Sequence, residues 1–273
     1  MRPILLGLLI ALLAAGSAEA ADKRPIIDAH IHYSHDAWDE LPPESAVAAL
    51  RAAGLKQAFV SSSSDEGTQK LHAVAPDLIV PVLRPYRRRG ELGTWMHDGS
   101  VVDMLKDRLA RYRYAGIGEF HVFGEDADLP VLREVVALAG RHRLFLHAHS
   151  DAEAVRRLFA QDPEARILWA HSGFAPPEEV AKMLAAYPHL WSDLAFRSEH
   201  GGDGRVPPEW RRVFEAFPDR FMVGTDTYTP ERWYYVAAHA DWSRAWLDDL
   251  PDDLADNIAW RNAKRLADWA LQR

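Results

Sequence analysis

The chain repeats one unit eight times: a short apolar, β-prone run followed by a stretch with helical spacing. Strands that alternate with helices form parallel sheets, and eight such units in succession are typical of the closed (β/α)8 barrel. From His32 to Asp226 there are seven strand-to-strand steps of about 28 residues each, the usual size for that fold. We predict a single (β/α)8 TIM barrel with strands at 25–32, 57–62, 78–83, 115–123, 144–149, 167–171, 190–196 and 221–225.

The predicted helices occupy the intervals between these strands, and a last helix is expected at 254–271. An open doubly wound sheet is the competing architecture. It would not easily bring the first, fifth and eighth strands together, because only closure makes the last strand a neighbour of the first. The closed barrel is therefore the better prediction for a site built from all three.

The first twenty residues have the pattern of a secretory signal. A positively charged start precedes an almost wholly aliphatic run at 4–15, and Ala18-Glu19-Ala20 is a small-x-small cleavage site. The aliphatic run is shorter than the roughly 20 residues that span a bilayer, which disfavours an uncleaved anchor. We expect cleavage before Ala21, a domain at 21–273, and an exported protein that is periplasmic or secreted.

Composition restricts the chemistry that is available. The chain contains no cysteine, so any metal must be held by nitrogen and oxygen, and no thiol nucleophile exists. No Gly-x-Ser-x-Gly motif supports an acyl-enzyme serine either. The formal net charge of −8 argues against nucleic acid or an anionic membrane as the main partner. A small-molecule substrate is expected, and a homo-oligomer is possible.

Histidines and carboxylates stand at the C-terminal ends of five predicted strands. In a barrel these ends surround one mouth, where catalytic residues are found. His30 and His32 are two apart and should face the same way, which favours a metal held by their nitrogens. Asp28 either orients an imidazole or is a structural acceptor.

The later strand ends supply the remaining candidate ligands. His147 and His149 again share a face, and we favour His147 as the ligand because it lies deeper, with His149 as a substrate contact. His171 could bind a second metal or act as an acid, base or electrophile. Asp226 can bind the metal and accept a proton from water, although an Asp that caps a turn is the alternative. Glu119 could bridge two metals or pair with Arg84.

Other side chains near strand ends are candidate substrate contacts. His121 is either a contact or a rim residue. Arg84, Tyr86 and Arg197 could hold a carboxylate or phosphate, and exposure on the surface is the alternative for each. The other histidines are expected at the surface: His35, His72, His97, His142, His189, His200 and His239.

Together these motifs resemble the metal-dependent amidohydrolase superfamily, and more closely its amidohydrolase-related (type 2) branch. The resemblance runs from Ile26 to the segment Asn262-Ala263-Lys264-Arg265-Leu266 and rests on the His-x-His pair followed by strand-end His, His and Asp. It implies that His30, His32, His147 and Asp226 hold the catalytic metal, with His171 assisting or binding a second ion. Zinc is the expected metal, with one or two ions per chain.

The resemblance also implies a hydrolase. A metal-activated water would attack the amide, ester or lactone carbonyl of a small molecule. Two alternatives stay open: a metal-dependent decarboxylase or hydratase of carboxylated ring compounds, and a non-catalytic protein that keeps the metal for binding or stability.

Overall fold

The eight predicted strands form one parallel sheet in chain order in the computed structural model, which describes residues 23–272. Each strand pairs with its neighbours in sequence. The strands are β1 (Ile26–Ile31), β2 (Leu55–Val60), β3 (Ile79–Leu83), β4 (Gly116–His121), β5 (Phe145–His149), β6 (Ile167–Trp169), β7 (Leu190–Asp193) and β8 (Phe221–Met222). The predicted signal peptide at 1–20 lies outside the described residues.

The backbone after β8 returns to β1 and nearly closes the ring. Ile31 forms a parallel bridge with Thr227, and the N–H of Ala29 donates to the carbonyl of Val223 at 2.9 Å. The predicted (β/α)8 barrel is therefore confirmed. Closure places the residues that follow β8 beside the histidines of β1, as the site prediction required.

Helices cover the outside of the barrel, and several begin with a proline in the first turn. They are α1 (His35–Trp38), α2 (Pro43–Ala52), α3 (Glu66–Val74), α4 (Ser100–Arg111), α5 (Pro130–His142), α6 (Ala152–Gln161), α7 (Pro177–Ala186), α8 (Pro208–Ala216), α9 (Pro230–Tyr234), α10 (Val236–Leu247), α11 (Asp252–Asp256) and α12 (Asn262–Leu271). A π-helical turn, Asn257–Arg261, joins the last two. No helix within residues 23–272 has the length and apolar character to cross a membrane.

The last helix lies at the N-terminal end of the barrel. Buried alanines and Leu266 of α12 belong to the same packed cluster as Phe59 and Phe145, whose rings stack at 5.6 Å across the barrel. Arg113 and Arg143, which precede β4 and β5, donate to carbonyls near the end of α12. This packing fills one end of the barrel and leaves the C-terminal mouth for the polar residues.

Candidate metal centre

The two histidines of β1 converge at the C-terminal mouth. Their Nε2 atoms lie 3.1 Å apart, and both side chains are buried. Nδ1 of His32 lies 2.6 Å from the backbone carbonyl of Ser61, and Nδ1 of His30 lies 3.2 Å from the carboxylate of Asp193. Because these partners accept hydrogen bonds, the neutral form of each imidazole carries its proton on Nδ1 and presents a lone pair at Nε2. Two facing lone pairs repel unless a proton or a cation lies between them.

Asp226 brings a carboxylate to the same point from the end of β8. Its N–H donates to the carbonyl of His30 at 2.8 Å, and Nε of Arg232 donates to the carbonyl of Asp226 at 2.7 Å. These bonds hold Asp226 in the left-handed region at φ 49°, which is uncommon outside glycine. Its Oδ1 atom lies 3.3 Å from Nε2 of His32 and 3.6 Å from Nε2 of His30.

Glu119 enters the centre from β4 because the preceding residue is glycine. Gly118 has a φ of 135°, and a Cβ atom there would lie 2.2 Å from the carbonyl oxygen of His147 on β5. Only glycine permits so close an approach, and the register between the two strands shifts at this position. The buried carboxylate of Glu119 accepts a hydrogen bond from Nη2 of Arg84 at 2.7 Å.

Glu119 lies among four imidazoles. Its Oε2 atom is 3.2 Å from Nε2 of His32, and its Oε1 atom is 3.5 Å from Nε2 of His30. The Oε1 atom is also 2.8 Å from Nδ1 of His149 and 3.5 Å from Nε2 of His171. A carboxylate in this position can be shared by two cations, one beside the β1 pair and one beside His149 and His171.

The two histidines of β5 have different partners. Nε2 of His147 lies 2.8 Å from Oδ2 of Asp193, deep in the barrel. Burial and the nearby charge of His30 lower the pKa of His147 to about 4. His149, two residues later, is partly exposed to the cavity described below and reaches Glu119 instead.

His171 was predicted at the end of a strand but lies just beyond β6 in a left-handed turn. The φ angles of His171, Ser172 and Gly173 are 56°, 51° and 61°. Nδ1 of His171 lies 2.8 Å from the carbonyl oxygen of Ala195, so its Nε2 is the nitrogen that faces Glu119 and the centre. That nitrogen lies 4.0 Å from Oδ2 of Asp226. Non-glycine residues in this region of φ are often found at functional sites.

Asp193, the last residue of β7, is part of the centre although it was not among the predicted residues. Its Oδ1 atom accepts hydrogen bonds from the N–H groups of His171 at 2.9 Å and Ala195 at 3.1 Å, while Oδ2 faces His30 and His147. Burial raises the pKa of Asp193, but the charge of His30 and these hydrogen bonds outweigh it and hold the pKa well below its ordinary value. A lone carboxylate inside the apolar predicted strand 190–196 was the available signal.

The charges of this centre favour a cation. Glu119, Asp193 and Asp226 contribute three carboxylates, and Arg84 pairs with Glu119. Burial lowers the pKa of His30, but the three carboxylates outweigh burial and raise that pKa well above its ordinary value. A position that retains a proton so strongly also attracts a divalent ion.

The donor atoms also have the spacing of a coordination sphere. The Nε2 atoms of His30 and His32 are 3.1 Å apart and lie 3.2 to 3.6 Å from oxygens of Glu119 and Asp226. Ligands about 2.0–2.1 Å from a tetrahedral zinc ion are about 3.3–3.4 Å from one another. These residues therefore fit a divalent metal bound by nitrogen and oxygen.

A cavity of about 460 Å³, called the main cavity below, includes this centre. Four of the five predicted substrate contacts line it: Arg84, Tyr86, His121 and His149. The Tyr86 hydroxyl accepts a hydrogen bond from the N–H of His121 at 2.7 Å and lies 2.8 Å from its Nδ1. Burial lowers the pKa of His121 to about 3, so the imidazole is neutral. Its ring stacks on His149 with centroids 4.0 Å apart.

Arg197 does not border the main cavity. Its guanidinium is buried, and it donates to the carbonyl of His171 at 3.1 Å and to that of Ala175 at 3.0 Å. It also forms an ion pair with Glu199. In this structure Arg197 supports the loop that carries His171.

The structure also decides the roles of Asp28 and His200. Asp28 is a structural acceptor: it bonds to the N–H of His30 and to the N–H and hydroxyl of Thr225, not to an imidazole. The prediction that His200 lies at the surface is wrong, because it is fully buried and its ring contacts Trp246 at a centroid distance of 4.7 Å. Its loop is covered by the tryptophans of α10, which are distant in sequence.

Comparisons with known proteins place this geometry in a family. The solved structures that resemble the chain include the TIM-barrel protein Bb4693 from Bordetella bronchiseptica, with 15% identity, a TM-score of 0.65, and coverage of 90% of this chain and 99% of that one. A Pseudomonas putida protein named as a 2-pyrone-4,6-dicarboxylic acid hydrolase has 16% identity and a TM-score of 0.59, with coverage of 90% and 98%. A Lactobacillus casei protein named as a metal-dependent hydrolase has 12% identity and a TM-score of 0.56, with coverage of 90% and 96%.

At sequence identities this low, these similarities show only that the folds are alike. No curated protein matches the chain. The sequence profile of the amidohydrolase family, in contrast, matches residues 27–268, which is nearly all of the described chain. The predicted resemblance is confirmed: the chain belongs to the amidohydrolase family, and its general class is that of a metal-dependent hydrolase.

Proposed function

We propose that the protein hydrolyses an amide, ester or lactone bond of a small molecule. The reaction would use a divalent metal, preferably zinc, bound at the mouth of the barrel. The observation that carries the proposal is the convergence of the Nε2 atoms of His30 and His32 with the carboxylate oxygens of Asp226 and Glu119. When bound there, a divalent ion would polarise a carbonyl and lower the pKa of a water molecule.

The ligand set that we propose differs from the sequence-based preference on β5. His30, His32 and Asp226 hold one ion, with Glu119 beside it. Glu119, His149 and His171 form a second set of donors, whose nitrogens lie 2.8 Å and 3.5 Å from Oε1 of the glutamate. We assign His149 to this set in place of His147, because Nε2 of His147 is engaged with Asp193.

The protein's own groups supply positioning and proton transfer. Asp226 is positioned to accept a proton from the attacking water and to return it to the leaving group. Its left-handed backbone, held by His30 and Arg232, fixes the carboxylate for this purpose. Asp193 orients His30 through Nδ1 and fixes the N–H of His171, so it acts as a positioning residue.

The main cavity suits a small molecule with a ring or an apolar part. Phe174, Phe196, Leu92 and Tyr228 supply apolar surface, and Arg88 and other basic side chains lie on the same lining. The Pseudomonas putida protein of similar fold is named for hydrolysis of a ring dicarboxylic acid, which agrees with this class of substrate. We also propose that the protein is exported, on the pattern of residues 1–20.

Two measurements test the proposal. Elemental analysis of the purified protein should give one or two divalent ions per chain, and none would contradict it. A panel of lactones, esters, amides and aromatic acids should give hydrolysis products that depend on the bound metal. Release of carbon dioxide from aromatic acids without hydrolysis would identify a decarboxylase instead. Bound metal without turnover of any compound would favour the non-catalytic alternative.

A further inference from the structure

A second cavity, of about 250 Å³, lies next to the main cavity. Phe196 lines both and so forms part of the wall between them. Its φ angle is 56°, and its ring lies 4.8 Å from the guanidinium carbon of Arg232. The other side of this second cavity is formed by α10, through His239, Trp242 and Ser243.

Arg232 gives the second cavity a positive charge. It donates from Nε to the carbonyl of Asp226 at 2.7 Å and from Nη2 to the carbonyl of Thr225 at 2.6 Å. Within residues 23–272 no carboxylate forms an ion pair with Arg232, and its Nη1 atom makes no hydrogen bond. A half-buried guanidinium with a remaining donor and no counter-charge is well suited to an anion.

The other polar groups that line the second cavity do not neutralise the positive charge of Arg232. Arg197 also lines it, but Glu199 already neutralises that guanidinium. Nδ1 of His239 is buried and has no hydrogen-bond partner. Burial lowers the pKa of His239, and the charge of Arg232 lowers it further. Among the described residues that line the second cavity there is no aspartate or glutamate.

We propose that the second cavity binds the oxyanion of a small molecule, a carboxylate or a phosphate, between Arg232 and His239. An oxyanion would accept hydrogen bonds from Nη1 of Arg232 and from an N–H of the His239 imidazole, both of which belong to residues that line the cavity. The cavity volume is sufficient for a phosphate or a short carboxylic acid. The inference does not require the protein to be a hydrolase.

The oxyanion site is connected to the metal centre through the backbone. Arg232 holds the carbonyl of Asp226, and Arg197 holds the carbonyl of His171. An anion that reorients either guanidinium would therefore act on residues of the centre. The anion has two possible sources: the charged end of a substrate that reaches past Phe196, or a separate small anion.

The test is titration of the full-length protein with inorganic phosphate and, separately, with succinate. Binding is measured by calorimetry and by tryptophan fluorescence, because Trp242 lines the second cavity. Arg232→Gln and His239→Phe should each weaken binding by about tenfold or more, since the first removes a positive charge and the second removes the N–H donor of the side chain. Arg212→Gln, which removes an exposed charge on α8, is the matched control and should bind as the parent does.

The His239→Phe variant guards against a trivial loss, because Arg232→Gln also removes two bonds to the backbone near Asp226. Trp242→Phe should abolish the fluorescence change and leave the calorimetric affinity similar. The proposal is overturned if His239→Phe binds phosphate like the parent, or if the parent binds neither anion. Phosphate that binds only at the metal centre would still bind His239→Phe like the parent, since His239 does not line the main cavity.

Kinetics separate the two sources of the anion once a hydrolysed compound is in hand. Phosphate that raises KM and leaves kcat unchanged would mean that the second cavity holds the charged end of the substrate. Phosphate that changes kcat without competing would mean a separate anion. The two proposals can fail separately. A protein that hydrolyses the compound but binds no anion would contradict this inference alone. A protein that binds the anion but hydrolyses nothing would contradict the proposed function alone.

Discussion

Oδ2 of Asp193 lies 2.8 Å from Nε2 of His147, in a fully buried contact between β7 and β5. The same oxygen lies 3.2 Å from Nδ1 of His30. The carboxylate of Asp193 thus fixes the ring orientation of His30 and is also the hydrogen-bond partner of His147 on β5.

Asp193→Asn should therefore weaken the metal site without removing any of the proposed ligands. The loss of a carboxylate that orients a ligating imidazole typically lowers metal affinity by about 10–100-fold. Competition with a chelating dye measures the affinity, and circular dichroism checks the fold. Asp107→Asn, an exposed change on α4, is the control. An unchanged affinity in Asp193→Asn would mean that His30 needs no orienting partner.

The two histidines of β5 should differ in their effect on metal content. His149→Ala should lower the number of ions per chain at limiting metal, because it removes a nitrogen 2.8 Å from Glu119. His147→Ala should keep the stoichiometry of the parent but lose thermal stability, since the carboxylate of Asp193 loses a buried partner. Elemental analysis after dialysis measures the count. The opposite pattern would restore His147 as the ligand.

Most of the fold could be predicted because its signals are local. Alternating β-prone and helical stretches give the number and order of strands, and parallel pairing in chain order follows from that alternation. The mouth of the barrel then gathers His30, His32, Glu119 and Asp226, because the C-terminal ends of parallel strands lie at one end of the barrel.

The remaining details depend on three-dimensional features that local periodicity does not encode. A register shift beside Gly118 changes the depth at which β4 meets β5, so the sequence spacing alone did not separate His147 from His149. Asp193 was missed because a single carboxylate in a short strand resembles a residue that begins a turn. His200 is buried by Trp246, a contact with a distant helix.

The Arg84–Glu119 pair should contribute strongly to the free energy of unfolding. Both side chains are almost fully buried, at 9% and 3% exposed, and Arg84 also donates to the Glu119 carbonyl at 3.1 Å. Arg84→Gln leaves a buried carboxylate with a weaker partner and should lower stability by about 3–5 kcal/mol. Urea unfolding at a fixed metal concentration measures the change.

The exposed pair Arg51–Asp77 provides the matched control for that experiment. Its N–O distance is 2.9 Å, but its side chains are 52% and 66% exposed. Arg51→Gln should change stability by less than about 1 kcal/mol, because solvent screens exposed ion pairs. If Arg84→Gln and Arg51→Gln lowered the free energy of unfolding equally, the buried carboxylate of Glu119 would not depend on Arg84 as its ion-pair partner.

Asp226→Asn should retain the fold and lose nearly all turnover. The amide keeps the size of the side chain, and the backbone bonds to His30 and Arg232 do not involve the carboxylate. The amide cannot accept a proton, however, and loss of a general base typically costs about 10²–10⁴ in rate. Turnover at saturating metal, with metal content measured in parallel, separates loss of the base from loss of a ligand. Parent-like turnover in a metal-loaded Asp226→Asn variant would remove this carboxylate from the chemistry and leave proton transfer to a different group of the centre.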